Sequence, residues 1–388
     1  WRELQEHLVS GRYRPQAVRG MQIPKPGGGQ RQLGIPTAVD RVVQQALLQI
    51  LAPRLDPAFS ESSFGFRPKR NAHQALAQAR AYVGEGRDIV VDLDLEKFFD
   101  RVNHDLLMAR VARHVADPRV LRLIRRFLEA GMMQNGVCVE RHEGTPQGGP
   151  LSPLLANLLL DDLDKELEKR GHLFCRYADD CNIYVRTKAA GERVMASVTR
   201  FLEGRLKLRV NREKSAVAHV EERKFLGYRL LRAGRLGIAP KSLARAKDRI
   251  RAITRRNRGD AKVRRMIEEL NNFLTGWITY FRFAEGKANL ARLGEWMRRK
   301  LRCVILKRLK RAKATAAFLQ RLGVPRLQAW MLASSGKGWW RKAKSPSAHH
   351  AMNVTWFAKL KLIDPVQWYE TVNDGRNRRG TEQVCPVV

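Results

Sequence analysis

Residues 174–185 constrain the fold of this chain more than any other stretch. They read Phe-Cys-Arg-Tyr-Ala-Asp-Asp-Cys-Asn-Ile-Tyr-Val, so that two adjacent aspartates, Asp179 and Asp180, stand between residues that favour β-strands. The pattern predicts a β-hairpin with the acidic pair at its tip. Neighbouring carboxylates repel each other, and a buried pair is tolerable only when a cation neutralises it.

Oxygen ligands of this kind select hard divalent cations, above all Mg²⁺ bound together with a substrate phosphate. Taken alone, two aspartates in a turn are more often a solvated loop than a metal site. The metal-site hypothesis therefore depends on further ligands from other parts of the chain.

A second acidic segment, residues 89–95, has the composition of a β-strand. Its alternation places Asp92 and Asp94 on one face and aliphatic side chains on the other. A carboxylate at the end of a central strand is costly unless it has a partner or a cation. Asp94 would meet the acidic hairpin if the two strands are neighbours, an adjacency that sequence spacing alone does not establish.

Two further segments have the composition of substrate-binding loops. Residues 21–36 predict two short strands joined by a glycine turn, where Lys25 and Arg31 either reach a phosphate or form a basic surface hairpin. Residues 144–153 read Gly-Thr-Pro-Gln-Gly-Gly-Pro-Leu-Ser-Pro, which is too rich in Gly and Pro for a regular element. A tight loop before a helix lets its backbone and Gln147 approach a nucleotide closely.

Helical periodicity accounts for much of the remaining chain. The predicted helices cover residues 38–55, 72–83, 102–115, 119–130, 154–170 and 194–206. The loop at 62–71, Ser-Ser-Phe-Gly-Phe-Arg-Pro-Lys-Arg-Asn, is basic, and its charged residues either grip nucleic acid or are simply hydrated. Beyond about residue 237 the pattern becomes wholly helical and basic.

The charge of the chain indicates a polyanionic partner. Its 388 residues allow two or three domains, and 74 Lys and Arg against 38 Asp and Glu give a formal net charge of +36. The excess is uneven, because residues 231–388 contain 36 basic and 10 acidic groups. We therefore expect the C-terminal part to be the stronger phosphate binder.

The five cysteines include no Cys-x-x-Cys pair, which favours reduced thiols in a cytoplasmic protein and gives no zinc site. No apolar run is long enough to span a membrane, and no signal peptide is recognisable. The chain begins at Trp1 rather than Met, so we expect its natural beginning to be missing.

Taken together, these segments resemble the reverse transcriptases encoded by group II introns. The resemblance covers residues 11–361 and is closest to the short class that lacks an endonuclease domain. Its motifs are the basic hairpin, Phe-Gly-Phe-Arg-Pro at 64–68, the strand ending at Asp94 with two phenylalanines after it, Pro-Gln-Gly-Gly-Pro-Leu-Ser-Pro at 146–153, the Tyr-Ala-Asp-Asp hairpin and Phe-Leu-Gly at 225–227. Residues 276–281 look like the family's thumb, or maturase, segment. The family's longer N-terminal helical extension is mostly absent from this sequence. We therefore do not expect its template-switching contacts and some of its contacts with intron RNA here.

The resemblance implies an α+β, right-hand polymerase fold with a small antiparallel palm sheet, an all-helical thumb and a basic C-terminal DNA-binding region. Residues 1–236 would form the fingers and palm. Residues 237–325 would form the thumb, or maturase domain X. Residues 326–388 would form the DNA-binding region, ending in a disordered tail.

The same resemblance implies a catalytic site with two Mg²⁺ ions. Asp94, Asp179 and Asp180 would be the catalytic carboxylates and metal ligands, and the Leu95 carbonyl would add another oxygen. Asp92 is the rival for the first of these positions. We prefer Asp94, because the family's aromatic gate against ribonucleotides lies five residues beyond the metal-binding aspartate, and we expect Asp92 to have a structural partner.

Four residues would bind the incoming deoxynucleoside triphosphate by similarity. Lys25 and Arg31 would hold the triphosphate, and Gln147 would line the nucleotide pocket. Phe99 would be the gate, because a 2′-hydroxyl would clash with its ring. Phe98 is the alternative gate.

The function implied is that of an RNA-directed DNA polymerase of a mobile group II intron, which copies RNA into cDNA and assists splicing as a maturase. Its partners would be the intron RNA as template, a DNA primer and deoxynucleotides, in the bacterial cytoplasm near the nucleoid. One alternative is an RNA-binding splicing cofactor with a vestigial polymerase site. Another is a domesticated reverse transcriptase used in host repair or defence.

Overall fold

The computed structural model describes residues 1–24, 28–134, 137–255 and 263–374. The chain divides into two compact units. Unit 1 comprises Trp1–Leu226 with Leu230–Gly234, and unit 2 comprises Gly227–Arg229 with the chain from Arg235 onward. The division into three functional domains stays a prediction.

Unit 1 combines helices with two four-stranded sheets. Its helices are α1 (Arg2–Val9), α2 (Ala38–Leu55), α3 (Ala72–Gly84), α4 (His104–Ala112), α5 (Pro118–Glu129), α6 (Ser152–Lys169) and α7 (Lys188–Phe201). Its strands are β1 (Val18–Pro24), β2 (Gln30–Ile35), β3 (Ile89–Leu93), β4 (Met132–Gln134), β5 (Val137–Val139), β6 (Leu173–Tyr177), β7 (Asp180–Val185) and β8 (Ala216–His219).

The predicted helices agree with these bounds within three residues, except at α7. That helix begins at Lys188, six residues before the predicted start at 194. The N-terminus is fixed by Thr187, whose hydroxyl oxygen accepts a hydrogen bond from the Ala190 N–H. Residues 202–206, predicted as helix, form a π-helical turn.

The central sheet has the order β6-β7-β3-β8, and all its neighbouring strands are antiparallel. One face packs on helices α4, α6 and α7 through apolar side chains that include Val91, Leu93, Leu107, Leu159, Ile183 and Val198. On the other face, Tyr184 of β7 contacts Tyr82 of α3, with ring centroids 5.7 Å apart. Most apolar residues of β3 are thus buried, while Asp92 within the strand and Asp94 just beyond its end are half-buried polar residues.

The second sheet has the order β2-β1-β4-β5. β1 and β2 form the antiparallel hairpin that the sequence predicts, and β1 also pairs in parallel with β4. Gly34 of β2 fits closely against Val18 of β1, because a Cβ atom there would lie 2.7 Å from the valine Cγ2. A side chain at residue 34 would therefore push the two strands of the hairpin apart.

Unit 2 is almost entirely helical in its described residues. Its elements are β9 (Tyr228–Leu230), β10 (Leu236–Ile238), α8 (Pro240–Ile253), α9 (Val263–Tyr280), α10 (Lys287–Arg308), α11 (Ala312–Arg321), α12 (Arg326–Ser334), α13 (Trp339–Lys342), α14 (Pro346–Ala351), α15 (Val354–Lys359) and α16 (Pro365–Asn373). A separate apolar core includes Ile250, Leu274, Met297 and Phe357. The helical, thumb-like C-terminal part is confirmed, and the predicted disordered tail falls, from residue 375, outside the described residues.

Within the residues that the structure describes, no helix combines the length and the apolar character that a bilayer-spanning segment requires.

Candidate active site

The acidic pair lies at the tip of the β6–β7 hairpin, as the sequence predicts. Tyr177 pairs with Asp180 across the ladder, so Ala178 and Asp179 form a two-residue turn. Ala178 has a left-handed backbone conformation with φ 58°, which tight hairpin turns require and which bulky side chains disfavour. The turn projects both aspartates from the end of the sheet.

Asp94 lies beside this tip because β3 and β7 are neighbouring strands. Their register ends with Leu93 opposite Cys181, so one step further along the ladder Asp94 faces Asp180. Burial raises the pKa of Asp179, and the negative charge of Asp94 raises it further. The adjacency that sequence spacing could not establish is therefore present in the fold.

The backbone of Asp94 is fixed by the polar turn at 211–215, whose role sequence reasoning missed. The Asp94 N–H donates to the Ser215 hydroxyl at 3.0 Å, and the Asp94 carbonyl accepts from the Asn211 N–H at 2.8 Å. Lys214 of the same turn places its Nζ atom 3.5 Å from Asp94 Oδ2. The turn thus both orients this carboxylate and partly neutralises it.

Negative charge accumulates at the hairpin tip. The pKa of Asp180 is raised to about 7, first by loss of hydration and then by the charges of Asp179, Asp92 and Asp94. Asp180 is nevertheless exposed to solvent, so water screens part of this repulsion. A divalent cation bound among these carboxylates would relieve the repulsion.

The carboxylates do not by themselves form a closed metal cage. Among the described residues, no three His, Cys, Asp or Glu side chains stand together as a ready metal-ligating group. Mg²⁺ is commonly held by only one or two carboxylates together with substrate phosphates and water. The chemistry of Asp94, Asp179 and Asp180 therefore fits Mg²⁺, while the three-ligand set stays a prediction.

The hydrogen-bond pattern at Leu95 suits the carbonyl ligand that the resemblance implies. Leu95 forms an isolated antiparallel bridge with Val210, and the two hydrogen bonds of that bridge involve its neighbours Asp94 and Glu96. In a bridge of this type the central residue turns its own N–H and C=O away from the partner strand. The Leu95 carbonyl therefore takes no part in this bridge, which leaves it available to a metal ion.

Asp92, the rival metal ligand, has a structural partner, as predicted. Arg223 Nε donates to Asp92 Oδ2 at 2.8 Å. With its side-chain amide oriented to satisfy its neighbours, Asn182 donates to Asp92 Oδ1 at 3.0 Å. Both oxygens are occupied within the protein, which favours Asp94 as the metal ligand.

Of the two predicted phosphate contacts on the β1–β2 hairpin, Arg31 is the one that the structure describes. It pairs with Ile23 in the ladder and is exposed to solvent. Its positive charge lowers the pKa of Asp179, against the larger upward effect of burial. Lys25, the other predicted phosphate contact, lies outside the described residues, and its role stays a prediction.

The Gly- and Pro-rich loop is attached to β2 next to Arg31. The Gly34 N–H donates to the Gln147 carbonyl at 2.8 Å. At the other end of the loop, the Ser152 hydroxyl donates to the Pro146 carbonyl at 2.8 Å. Gln147 is half-buried, so its side chain stays partly accessible to a ligand beside the basic hairpin.

The two phenylalanines after β3 have different environments. Phe98 is buried in the core, and Phe99 is half-buried, with an edge-to-face contact of 5.1 Å between the ring centroids. The Phe99 carbonyl accepts from the Thr145 N–H at 2.7 Å, which links it to the loop that carries Gln147. Phe99 is therefore better placed than Phe98 to meet a substrate.

The basic loop at 62–71 has a role that neither sequence alternative anticipated. Its backbone pairs with β6, because the Phe64 N–H donates to the Arg176 carbonyl and the Arg176 N–H donates to the Ser62 carbonyl, at 2.9 and 2.8 Å. Arg67 is buried and donates to Asp56 at 2.7 Å. This arginine is a structural ion-pair partner rather than a hydrated or nucleic-acid-binding group.

Comparisons with known proteins identify the family of this chain. Residues 23–230 match the family described as reverse transcriptase (RNA-dependent DNA polymerase), and residues 243–323 match the group II intron, maturase-specific domain. Protein YkfC of Escherichia coli is 36% identical over 268 residues, which cover 59% of this chain and 70% of YkfC. The group II intron-encoded protein LtrA of Lactococcus lactis is 40% identical over 161 residues, which cover 41% of this chain and only 27% of LtrA.

Among solved structures, a telomerase from Candida albicans covers 96% of this chain and 68% of its own, with a TM-score of 0.49 and 14% sequence identity. A likeness at that level carries no functional argument. The two family matches carry a functional argument, because the first spans more than half of the chain. The chain belongs to the reverse transcriptase (RNA-dependent DNA polymerase) family and carries the maturase domain of group II intron proteins.

Proposed function

We propose that this protein copies RNA into cDNA for a mobile group II intron and also assists the splicing of that intron. The observation that carries the polymerase part is the convergence of Asp94 with Asp179 and Asp180 at the end of the central sheet. The maturase-specific match in unit 2 supports the splicing part. The endonuclease-lacking subclass and the cytoplasmic location stay predictions.

Asp94 and Asp179 would be the main ligands that hold two Mg²⁺ ions, with Asp180 and the Leu95 carbonyl as supporting ligands. When bound, the metal supplies activation of the primer 3′-hydroxyl and neutralisation of the leaving pyrophosphate. The protein's own contribution is to hold the carboxylates in place before the substrate arrives. The polar turn at 211–215 provides that rigidity for Asp94, and the tight turn of the β6–β7 hairpin provides it for Asp179 and Asp180.

The substrate side of the site would be formed by the β1–β2 hairpin and the Gly- and Pro-rich loop. Arg31, with Lys25, would bind the triphosphate, and Gln147 would line the nucleotide pocket. Phe99 would exclude a 2′-hydroxyl by contact with its ring. The Phe99 contact would favour deoxynucleotides as substrates. The placement of Arg31 is supported by its positive charge, which lowers the pKa of Asp179 against the larger upward effect of burial.

Unit 2 would bind the nucleic acid partners. Residues 231–388 hold 36 basic and 10 acidic groups, a balance that suits the phosphate backbones of intron RNA and target DNA. We propose that residues 326–388 contribute DNA binding, while the maturase segment binds intron RNA.

Primer extension on an RNA template with Mg²⁺ tests the polymerase proposal. The variant Asp179→Ala should lose DNA synthesis by at least about 100-fold and should still bind RNA, since unit 2 carries the phosphate-binding charge. Asp105→Ala is the matched control, because this aspartate of unit 1 is 83% exposed and pairs only at the surface with Arg125. Substantial extension by Asp179→Ala would overturn the site assignment.

A splicing assay separates the second candidate function. If the protein is only an RNA-binding cofactor, wild-type protein will promote splicing of its intron without any primer extension. If it has both activities, Asp179→Ala should keep splicing assistance and lose synthesis. The same variant thus discriminates between the two classes.

A further inference from the structure

Arg176 is a fully buried arginine directly behind the catalytic turn. It is 0% exposed and is the largest fully buried side chain among the described residues. A buried guanidinium is costly unless its donors are satisfied. The environment of Arg176 therefore needs a complete set of acceptors.

The structure supplies an acceptor for each of the five N–H groups that an arginine carries. Two donate to Asp164, from Nε at 2.7 Å and from Nη2 at 2.5 Å. The others donate to Asn157 Oδ1 at 2.9 Å, to Ser63 Oγ at 2.8 Å and to the Ala178 carbonyl at 2.9 Å. One side chain thus joins helix α6, the loop at 62–71 and the turn of the hairpin.

The bond to Ala178 reaches the acidic tip itself. The Ala178 carbonyl belongs to the peptide unit that connects Ala178 to Asp179, so its direction fixes the plane from which Asp179 departs. Ala178 is also the left-handed residue of the turn, with φ 58°. A left-handed residue other than glycine persists only where its surroundings hold it.

A second contact supports the turn from the same side. Asn157 accepts from Arg176 and donates through Nδ2 to the Gly65 carbonyl at 2.8 Å. Gly65 is packed so closely on the turn that a Cβ atom would lie 2.3 Å from the Ala178 nitrogen. The carbonyl and nitrogen of Ala178 are therefore both constrained.

We propose that Arg176 is a positioning residue of the polymerase reaction, which acts through the Ala178–Asp179 peptide to direct the Asp179 carboxylate towards the metal site. It touches neither substrate nor metal. The inference deepens the proposed function and rests on the role assigned there to Asp179.

The charge state of the pair is consistent with this role. Burial opposes the charge of Arg176, but Asp164 outweighs it and raises the pKa of the guanidinium. Burial also raises the pKa of the Asp164 carboxyl, more than Arg176 lowers it. The pair is nevertheless ionised, because arginine stays protonated in proteins and two of the Arg176 N–H groups bind this carboxylate.

A contribution to stability alone does not explain why an ion pair such as Arg176–Asp164 is buried here. Replacing both partners of a buried ion pair by apolar residues of similar volume is often neutral or stabilising, whereas removing one partner leaves a buried charge unpaired. The double variant Asp164→Leu/Arg176→Met should therefore fold, while it loses the hydrogen bond to the turn. Arg176→Lys keeps the charge but has three donors in place of five.

The test compares these variants with wild type in two measurements. The first is primer extension, giving kcat and KM for the incoming deoxynucleotide. The second is Mn²⁺ binding in the absence of substrate, followed by electron paramagnetic resonance. Arg110→Met/Asp162→Leu is the matched control, because this partly buried pair joins α4 to α6 away from the hairpin.

We expect the double variant at 164 and 176 to melt within a few degrees of wild type, with kcat reduced by about 10- to 100-fold, KM for the deoxynucleotide little changed and Mn²⁺ affinity lower. Arg176→Lys should recover part of kcat. The control pair should keep wild-type kcat and Mn²⁺ affinity.

Two other outcomes are distinguishable. If the double variant keeps wild-type kcat and Mn²⁺ affinity, the positioning role of Arg176 is wrong and the proposed function stands. If wild-type protein fails to extend primers but Mn²⁺ affinity still falls in the double variant, the polymerase proposal is wrong and Arg176 does orient Asp179.

Discussion

At the residue scale, a single buried side chain contacts the loop that carries Gln147. This side chain is His104 of unit 1: it is buried at the start of α4, and its Nε2 lies 2.6 Å from the Gly144 carbonyl. Gly144 opens the loop that carries Gln147. Burial lowers the pKa of His104 below its ordinary value of 6.5, so the folded protein favours the neutral ring.

This lowered pKa predicts an acid-sensitive fold. Below pH 6.5, His104 binds a proton more readily in the unfolded chain than in the folded chain. The free energy of unfolding therefore keeps the full contribution of His104 above that pH and loses it as the pH falls through the folded pKa. His104→Gln should unfold with a weaker pH dependence than wild type between about pH 7 and 5, measured by urea titration. His142→Gln, at an exposed site, is the control, and equal slopes for all three proteins would contradict the prediction.

A second prediction at this scale concerns sugar selection. Phe99→Ala should admit ribonucleotides, because the ring that would contact a 2′-hydroxyl is removed. The ratio of kcat/KM for a deoxynucleotide to that for the matching ribonucleotide should fall by about 10- to 200-fold. Phe98→Leu should leave the ratio unchanged, since Phe98 belongs to the core. Unchanged discrimination in Phe99→Ala would move the gate to another residue.

At the scale of the elements, the contact between the loop at 62–71 and the β6–β7 hairpin leaves no room for a side chain at residue 65. A Cβ atom at Gly65 would lie 2.3 Å from the Ala178 nitrogen and 2.9 Å from the Tyr177 carbonyl carbon. Both are backbone atoms and cannot rotate aside. The loop and the turn can approach only because residue 65 is glycine.

Gly65→Ala should therefore displace the catalytic turn. We expect a loss of about 1–3 kcal/mol in unfolding free energy and a fall in primer extension of at least about 10-fold, measured by denaturant titration and by single-nucleotide incorporation. The control is Gly84→Ala in α3, where a Cβ atom would meet nothing within 4 Å. Wild-type activity in Gly65→Ala would show that the turn tolerates displacement.

At the scale of the whole molecule, charge dominates. A formal net charge of +36, with residues 231–388 holding 36 basic and 10 acidic groups, favours a polyanion and disfavours self-association. The sequence predicts this partner class without any structural information, because charge is a sum over composition.

Affinity for RNA should consequently fall steeply with salt. Release of counterions from about 6–10 contacted phosphates would weaken binding about 10³- to 10⁵-fold between 50 and 200 mM salt. Filter binding or fluorescence anisotropy across that range gives the slope of log K against log salt. Asp179→Ala should share the wild-type slope, and a shallow slope for wild type would contradict the role of the basic C-terminal part.

The sequence by itself determined the features that depend on local pattern. The acidic hairpin, the strand that ends near Asp94 and most helices follow from residue periodicity and turn chemistry, which act over a few positions. The start of α7 was missed because its signal, the single capping residue Thr187, precedes the apolar period. Family resemblance added candidate roles for individual residues, and these roles stay predictions.

Only the tertiary structure decided which distant residues meet. Asp94 is held by Ser215, 121 positions away, and Arg176 is held by Ser63, 113 positions away. No local pattern encodes such pairs, since they arise from how strands and helices pack once the core is buried. The sequence shows that this chain contains the carboxylates, and the pairing of β3 with β7 brings Asp94 beside the hairpin that carries Asp179 and Asp180, because only a folded sheet brings two separate strand ends to the same edge.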